Sequence, residues 1–352
     1  MKKYVGLPDP CHFKKEEILQ VLLCEEYGIL PTAPVSVSAT VETVDERFCA
    51  GKASLQTLSL HCRAEWGEFS FPVYYVCPKS APTPVPCFLH INFRDMIPDK
   101  YQPTEELVDE GYATATFCYQ DVTSDDGDFT NGLAGVVYRD GKREADQCGK
   151  IGLWAWAACA VMDHLQTLPE LDHTKISVAG HSRLGKTALL AGALDPRFYC
   201  AFSNDSGCSG AALSREKNGE TIRDITEKFP FWFCENYKGY ASREDMLPFD
   251  QHWLIAANAP HRVYVASAVE DTWACPESEY AACVAANEYY REHCASGFVH
   301  PDRLPNVGEC FHEGMIGYHL RKGSHYFSRE DWKYYVEYLK HHALKAWKLT
   351  GK

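Results

Sequence analysis

KISVAGHSRLGKTALLAGAL, residues 175–194, decides the fold. Its β-branched start reads as a strand that runs into Gly180-His181-Ser182-Arg183-Leu184-Gly185, and a helix-forming run follows at once. A strand, a tight turn and a helix with a serine at the bend form a nucleophile elbow, in which the turn lifts the hydroxyl to the top of a sheet. The strict Gly-x-Ser-x-Gly spacing is not met, because Leu184 stands where the second glycine belongs and Gly185 comes one residue later. Ser182 is the candidate nucleophile, and a serine that merely caps the helix is the bland alternative.

Outward from this unit, strand and helix signals alternate. A helix is expected over 151–167, then the strand 175–179, the helix 183–194 and strands at 199–203 and 262–268. Helices at 277–292 and 329–346 complete the pattern. Such alternation builds a mostly parallel sheet with helices on both faces and puts ligand sites at the carboxyl ends of the strands. The first third is richer in strands: SVSATVETV (36–44), FSFPVYYVC (69–77) and, after the proline-rich KSAPTPVP (79–86), the apolar runs 87–93 and 112–119. Between those runs, Thr104 with Glu105, Glu106 and Glu110 resembles a capped, acid-rich helix start. Residues 208–261 break the rhythm with Phe229, Phe231, Trp232, Phe233, Tyr237 and Tyr240, which either pack on the sheet edge or line a site. The expectation is one α/β-hydrolase domain over 1–352, with a mostly parallel central sheet flanked by helices. Residues 1–80 form a β-rich N-terminal extension, and 208–261 is an insertion before the strand that carries the acid.

Composition narrows the functional classes. The 352 residues are 45% hydrophobic and 24% charged, as in ordinary globular proteins, and the net charge of −13 excludes the basic footprint of a nucleic-acid binder. Lys2 and Lys3 meet Gly6, Pro8, Asp9 and Pro10 before any apolar run, so no signal peptide is read. The most apolar stretch, 151–162, is shorter than the roughly 20 residues of a membrane span. A cytoplasmic protein without a membrane partner is therefore expected. Its sixteen cysteines contain no C-x-x-C pair and read as free thiols; secretion would bring disulfides back into play.

A serine needs a base held by an acid, in the chain order Ser, Asp/Glu, His. Among the later histidines, His325 in RKGSHYFSREDW lies between an apolar run and the last helix, where the base is expected. His341 and His342 read as surface residues of that helix, and His252 as structural. Asp271 comes three residues after the strand HRVYVASA and is the leading acid; its neighbour Glu270 reads as a surface carboxylate. Asp205, in AFSNDSG after the preceding strand, is the second candidate and could reach the same imidazole.

GHSRLGK, SNDSGCSGAALSR, ITEKFPFWF, LPFDQHWLIAANAPHRVYVASAVEDTW and GSHYFSREDW together resemble the glucuronoyl esterase family of carbohydrate esterases and its bacterial relatives, many of which carry acetylxylan-esterase labels. The elbow differs from the family's usual Gly-Cys-Ser-Arg-x-Gly-Lys in having His181 for the cysteine. The resemblance implies Ser182 as nucleophile, His325 as base and Arg183 as a cation on the oxyanion. It implies Lys186, Glu227 and Trp273 as sugar-binding groups, with Glu220 near the place of a family glutamine. It places the acid at Asp205 in fungal members and at Asp271 in many bacterial ones. The bland alternatives are a salt bridge from Arg183 to Asp205 or Glu227, solvated charges at Lys186, Glu220 and Glu227, and a core-sealing Trp273. The reaction implied is serine-dependent hydrolysis of a 4-O-methyl-glucuronoyl ester of xylan-derived saccharides, with no metal or organic cofactor. An acetyl esterase of xylo-oligosaccharides, a non-catalytic sugar-binding homologue and an amide-cleaving serine hydrolase are the rivals.

Overall fold

The computed structural model describes residues 6–215, 218–294 and 296–350, the last six as backbone alone. The first five residues of the N-terminal extension, and Glu216 and Lys217 of the insertion, lie outside the described residues. The strands are β1 (Ser36–Asp45), β2 (Ala53–Ala64), β3 (Gly67–Pro78), β4 (Val85–Asn92), β5 (Ala113–Cys118), β6 (Leu171–His181), β7 (Cys200–Asn204), β8 (Arg262–Ala268), β9 (Cys310–Phe311) and β10 (Ile316–Arg321). They form one sheet in the order β1-β2-β3-β5-β4-β6-β7-β8-β10-β9.

The run β5-β4-β6-β7-β8-β10 is parallel, while β1, β2 and β3 join it as an antiparallel meander and β9 closes the far edge antiparallel. The parallel strands are buried almost throughout, as sheets covered on both faces must be. On one face Trp154, Val161, Val178, Leu189 and Leu190 belong to a large core beneath the helices Lys150–Leu165 and Arg183–Leu194. On the other, Phe88, Phe202 and Tyr264 pack under Trp332, Tyr335 and Tyr338 of the helix Arg329–Thr350. The helix Lys150–Leu165 is apolar nearly all round because it is buried nearly all round.

The alternating pattern therefore holds, with three corrections. Strands β2, β9 and β10 were not expected, although Leu58, Leu60 and Cys62 alternate inward along β2. Thr104 starts the helix Thr104–Asp109, but its hydroxyl is buried in a hydrogen-bond cluster with Gln102 and does not cap the helix. His342 is not a surface residue: it is buried edge-on against Tyr338, because the last helix turns that face onto the sheet. His252 is structural as expected, its Nε2 lying 2.8 Å from the Pro8 carbonyl. No disulfide joins any of the sixteen cysteines. No helix among the described residues is long and apolar enough to cross a membrane.

Candidate active site

Four neighbouring parallel strands deliver the candidate residues at one edge of the sheet. Ser182 follows β6, Asp205 follows β7, Asp271 lies three residues beyond β8, and His325 lies four beyond β10. Ser182 holds φ 57° and ψ −125°, a left-handed conformation that is costly for a residue with a side chain and that the turn enforces. Three hydrogen bonds enforce it. The Ser182 N–H donates to the Asn204 carbonyl at 2.8 Å, and the N–H groups of Gly185 and Lys186 return to the Ser182 carbonyl. A Cβ at Gly180 would sit 2.0 Å from the Leu184 carbonyl oxygen, so the turn closes only over a glycine there. The glycine missing from the strict spacing at 184 is not needed, because Leu184 is turned into the core.

The base and its acid are joined directly: His325 Nδ1 lies 2.6 Å from Asp271 Oδ2. Asp271 is buried, while the imidazole is 46% exposed and lines the same cavity as Ser182. The carboxylate fixes Nδ1 as the protonated nitrogen and leaves Nε2 for the serine. No hydrogen bond joins Ser182 to His325, and nucleophile–base bonds commonly tighten only with substrate bound. Asp205 makes no bond to the imidazole. Its Oδ1 accepts from the Ala268 N–H at 2.7 Å and its Oδ2 from Arg321 Nη2 at 3.1 Å. Burial and the nearby acids Glu279 and Asp331 push its carboxyl well above the usual range, against the pull of Arg321. The second candidate acid is thus spent on an arginine and on backbone.

Asp205, Asp271 and His325 each bring a ligand atom within 4.8 Å of the other two, the one such grouping among the described residues. Two of those atoms are already bonded to each other and the third residue to Arg321, a donor set arranged for proton transfer more than for a cation.

His181, which stands where the resembled family has cysteine, is buried with its ring centroid 4.5 Å from that of His325. Its Nδ1 lies 2.6 Å from Asn204 Oδ1, and burial, reinforced by His325, pushes it down to about 3. It is a neutral wedge between the elbow and the base.

Arg183 is held by a partner the sequence did not suggest. Its Nη1 donates to Asp125 Oδ2, not to Asp205 or Glu227. Asp125 also accepts from Trp232 Nε1 at 2.7 Å and from the Tyr119 hydroxyl at 3.0 Å. The guanidinium carbon sits 4.7 Å from the Trp232 ring, 5.4 Å from Phe229 and 5.6 Å from Phe93. Within this cage Nε is buried and without a partner, a donor kept dry beside the nucleophile.

The cavity has a volume of about 320 Å³, within the range of small-ligand sites. Ser182, Arg183, Lys186, Asp205, Asp271 and His325 line it, and Glu220, Lys228, Phe229, Trp232 and Trp273 close it. Lys186 is buried, with Nζ donating to the Ser206 carbonyl. Glu220 is nearly buried, and its N–H is tied to the Trp273 carbonyl at 2.9 Å, so the insertion and the acid loop meet there. Trp273 leaves 53% of its surface exposed at the cavity rim. Glu227 is a correction. It faces solvent in an exposed pair with Arg223, Nε to Oε1 2.9 Å, on the helix Ile222–Lys228. The buried Ile222, Ile225 and Thr226 turn that helix's other side inward, which leaves Glu227 outside. The insertion does both things considered for it: Trp232, Phe233 and Tyr237 join the core, and Phe229 and Trp232 also wall the cavity.

Comparison with known proteins gives a consistent picture. The family model described as "Glucuronyl esterase, fungi" matches residues 61–293. A prokaryotic protein of unknown organism, carbohydrate esterase MZ0003, is 33% identical over 94% of this chain and 84% of its own length. The 4-O-methyl-glucuronoyl methylesterase of Podospora anserina is 29% identical over 79% of this chain, a match that spans 55% of that longer protein. Among solved structures, a promiscuous CE15 esterase from a marine bacterial metagenome superposes with a TM-score of 0.86 at 32% identity, covering 97% of this chain and 98% of that one. The glucuronoyl esterase of Solibacter usitatus gives a TM-score of 0.84 at 28% identity over 93% and 91%.

Proposed function

The chain belongs to the glucuronoyl esterase family of carbohydrate esterases, and we propose that Ser182, His325 and Asp271 hydrolyse a 4-O-methyl-glucuronoyl ester of a xylan-derived saccharide within it. The contact of His325 Nδ1 with Asp271 Oδ2, on the wall of the cavity that Ser182 shares, carries this reading. His325 Nε2 takes the proton as Ser182 Oγ attacks the uronoyl carbonyl. The tetrahedral oxyanion meets Arg183 Nε, and His325 returns the proton to the departing alcohol. Water, activated by the same imidazole, then cleaves the acyl-enzyme to free uronate and serine. Asp271 stabilises the imidazolium without taking its proton.

Lys186, Glu220 and the rim ring of Trp273 supply the polar and flat surfaces a sugar needs. In a reducing, cytoplasmic setting, where the sixteen cysteines would stay thiols, the substrate would be an imported oligosaccharide.

Methyl ester cleavage on a methyl glucuronate and acetate release from acetylated xylo-oligosaccharides, measured on one preparation, test the substrate assignment. Turnover of the uronate ester, abolished in Ser182→Ala, is expected. Acetate release without uronate ester cleavage would replace it with the acetyl-esterase reading. Inertness toward both would favour a sugar-binding homologue.

A further inference from the structure

Arg321, the last residue of β10, has no role in the chemistry above, yet it is buried four residues before the base. Its donors are all spent, and the pattern is specific. Nε donates to Asp331 Oδ1 at 2.9 Å and Oδ2 at 3.0 Å, and Nη2 to Asp205 Oδ2 at 3.1 Å. The rest go to main-chain carbonyls of the following loop: Nη1 to Lys322 and Ser324 at 3.1 and 3.3 Å, and Nη2 to Ser324 at 3.3 Å and to Tyr326. The carbonyls on either side of His325 are therefore bound by one guanidinium.

The loop is shaped to receive that cation. Gly323 has φ 101°, and a Cβ there would stand 3.3 Å from Arg321 Nη1, so the chain wraps the guanidinium closely only through a glycine. The same loop is tied to the acid. The Glu270 N–H donates to the Gly323 carbonyl at 3.0 Å and the Val269 N–H to the Arg321 carbonyl at 3.0 Å, directly before Asp271.

We infer that Arg321 is the positioning residue of the base, folding the 322–326 loop around its guanidinium so that His325 meets Asp271, with Asp205 and Asp331 as its side-chain acceptors. The inference rests on the assignment of His325 as base and gives Asp205 a purpose other than orienting the imidazole. A buried cation cannot stand alone in a core: the Asp331 carboxylate neutralises it, and Asp205 accepts from its Nη2. Asp331 is in turn held by His319 Nε2 at 2.9 Å and by the Ser328 N–H at 2.7 Å, which anchors the pivot to the last helix. A lysine keeps the charge but cannot present a planar fork to three carbonyls and two carboxylates at once.

The test uses Arg321→Lys, His325→Ala and the double variant, assayed on the uronate ester, with circular dichroism confirming the fold. Arg321→Lys is expected to lower kcat by about 10–100-fold with KM within about twofold, the scale of a catalytic group displaced by about an ångström. In the His325→Ala background it is expected to change nothing further, because it acts only through that imidazole. Gly323→Ala perturbs the same contact from the loop side without touching the buried charge, so it serves if the lysine variant does not fold; the same kcat loss at unchanged KM is expected. Wild-type kcat in both Arg321→Lys and Gly323→Ala, or an equal further loss in the His325→Ala background, would overturn the inference. Wild-type turnover by His325→Ala alone would overturn the assignment of the base itself.

Discussion

The two walls of the cavity hold their charged groups by different means. On the base side, an ionic lattice does the work: Asp271 grips His325, and Arg321, Asp205 and Asp331 fix the loop beneath it. On the oxyanion side, one carboxylate and three rings suffice, Asp125 with Trp232, Phe229 and Phe93 around Arg183. The difference follows from the duties proposed for each. The base must swing between neutral and cationic states during turnover, and a carboxylate already in place stabilises the charge when it forms. Arg183 keeps its charge throughout, so it needs only to be aimed and kept dry, and aromatic faces do both at little cost in competing hydrogen bonds. Each wall is also fastened from behind by a buried titratable group. Glu279 accepts from the Ser267 hydroxyl at 2.6 Å and the Gly207 N–H at 2.9 Å behind the base side. Lys150 donates to Thr123 Oγ1 at 2.8 Å and to the Asp128 carbonyl at 2.6 Å, clipping the loop that carries Asp125.

The sharpest way to break this comparison is to exchange the two acids of the base side. Asp271→Asn should lower kcat by about 10³–10⁴, because an amide no longer holds the imidazole in its working tautomer. Asp205→Asn should stay within about tenfold, since it leaves the Asp271 contact in place and an amide oxygen can still accept from Arg321. Reversed magnitudes in steady-state kinetics would move the acid to Asp205.

A smaller effect belongs to the other wall. Asp125→Asn frees the guanidinium to turn and should lower kcat by about 10–100-fold, a fraction of what one lost oxyanion donor costs. Glu227→Gln, on the solvent side of the insertion helix, should leave kcat and KM unchanged and serves as the control. A loss at Glu227 equal to that at Asp125 would show that charge, not aim, matters on this side.

The smallest effect is on stability. Burial pushes Glu279 up to about 7 and Lys150 down to about 8. A carboxyl raised on folding stabilises most below its unfolded value, near 4.5, and that contribution fades as pH rises through about 7. A lysine lowered on folding acts with the opposite slope: the folded state sheds its proton first, so this group's contribution grows as pH rises from about 8 toward 10.5. Urea unfolding against pH should therefore flatten between about 4.5 and 7 in Glu279→Gln and above 8 in Lys150→Met, by a few kcal/mol at most. Unchanged slopes in both variants would show that folding shifts neither group's proton affinity.

Local signals made the central sheet legible. The strand ending at Ala268 and the helix from Arg183 to Leu194 match their expected bounds to the residue, because parallel core strands and their helices announce themselves by apolar runs and glycine; the elbow strand, expected over 175–179, runs from Leu171 to His181. Strand β2, second from the sheet edge between β1 and β3, has no such signal, since its inward residues alternate with polar ones over a half-solvated surface. Ser182, Asp271 and His325 could be read because each follows a strand in a fixed chain order. Asp125 and Arg321 could not. Asp125 sits in the acid-rich DVTSDDGDFT, 58 residues from the arginine it holds, and only tertiary packing joins them. Arg321 carries no local signature, because its role lies in how the following loop folds its carbonyls onto the guanidinium. Glu227 was misplaced for a related reason, since a family motif fixes position along the chain but not the side of a seven-residue helix that faces the cavity.

One measurement bears on all of this at once: covalent labelling with a fluorophosphonate, followed by peptide mapping. A single adduct on Ser182, formed slowly in His325→Ala and Asp271→Asn and at near wild-type rate in Asp205→Asn, is the expected result. An unlabelled protein that still cleaves the ester, or an adduct on another residue, would contradict the account.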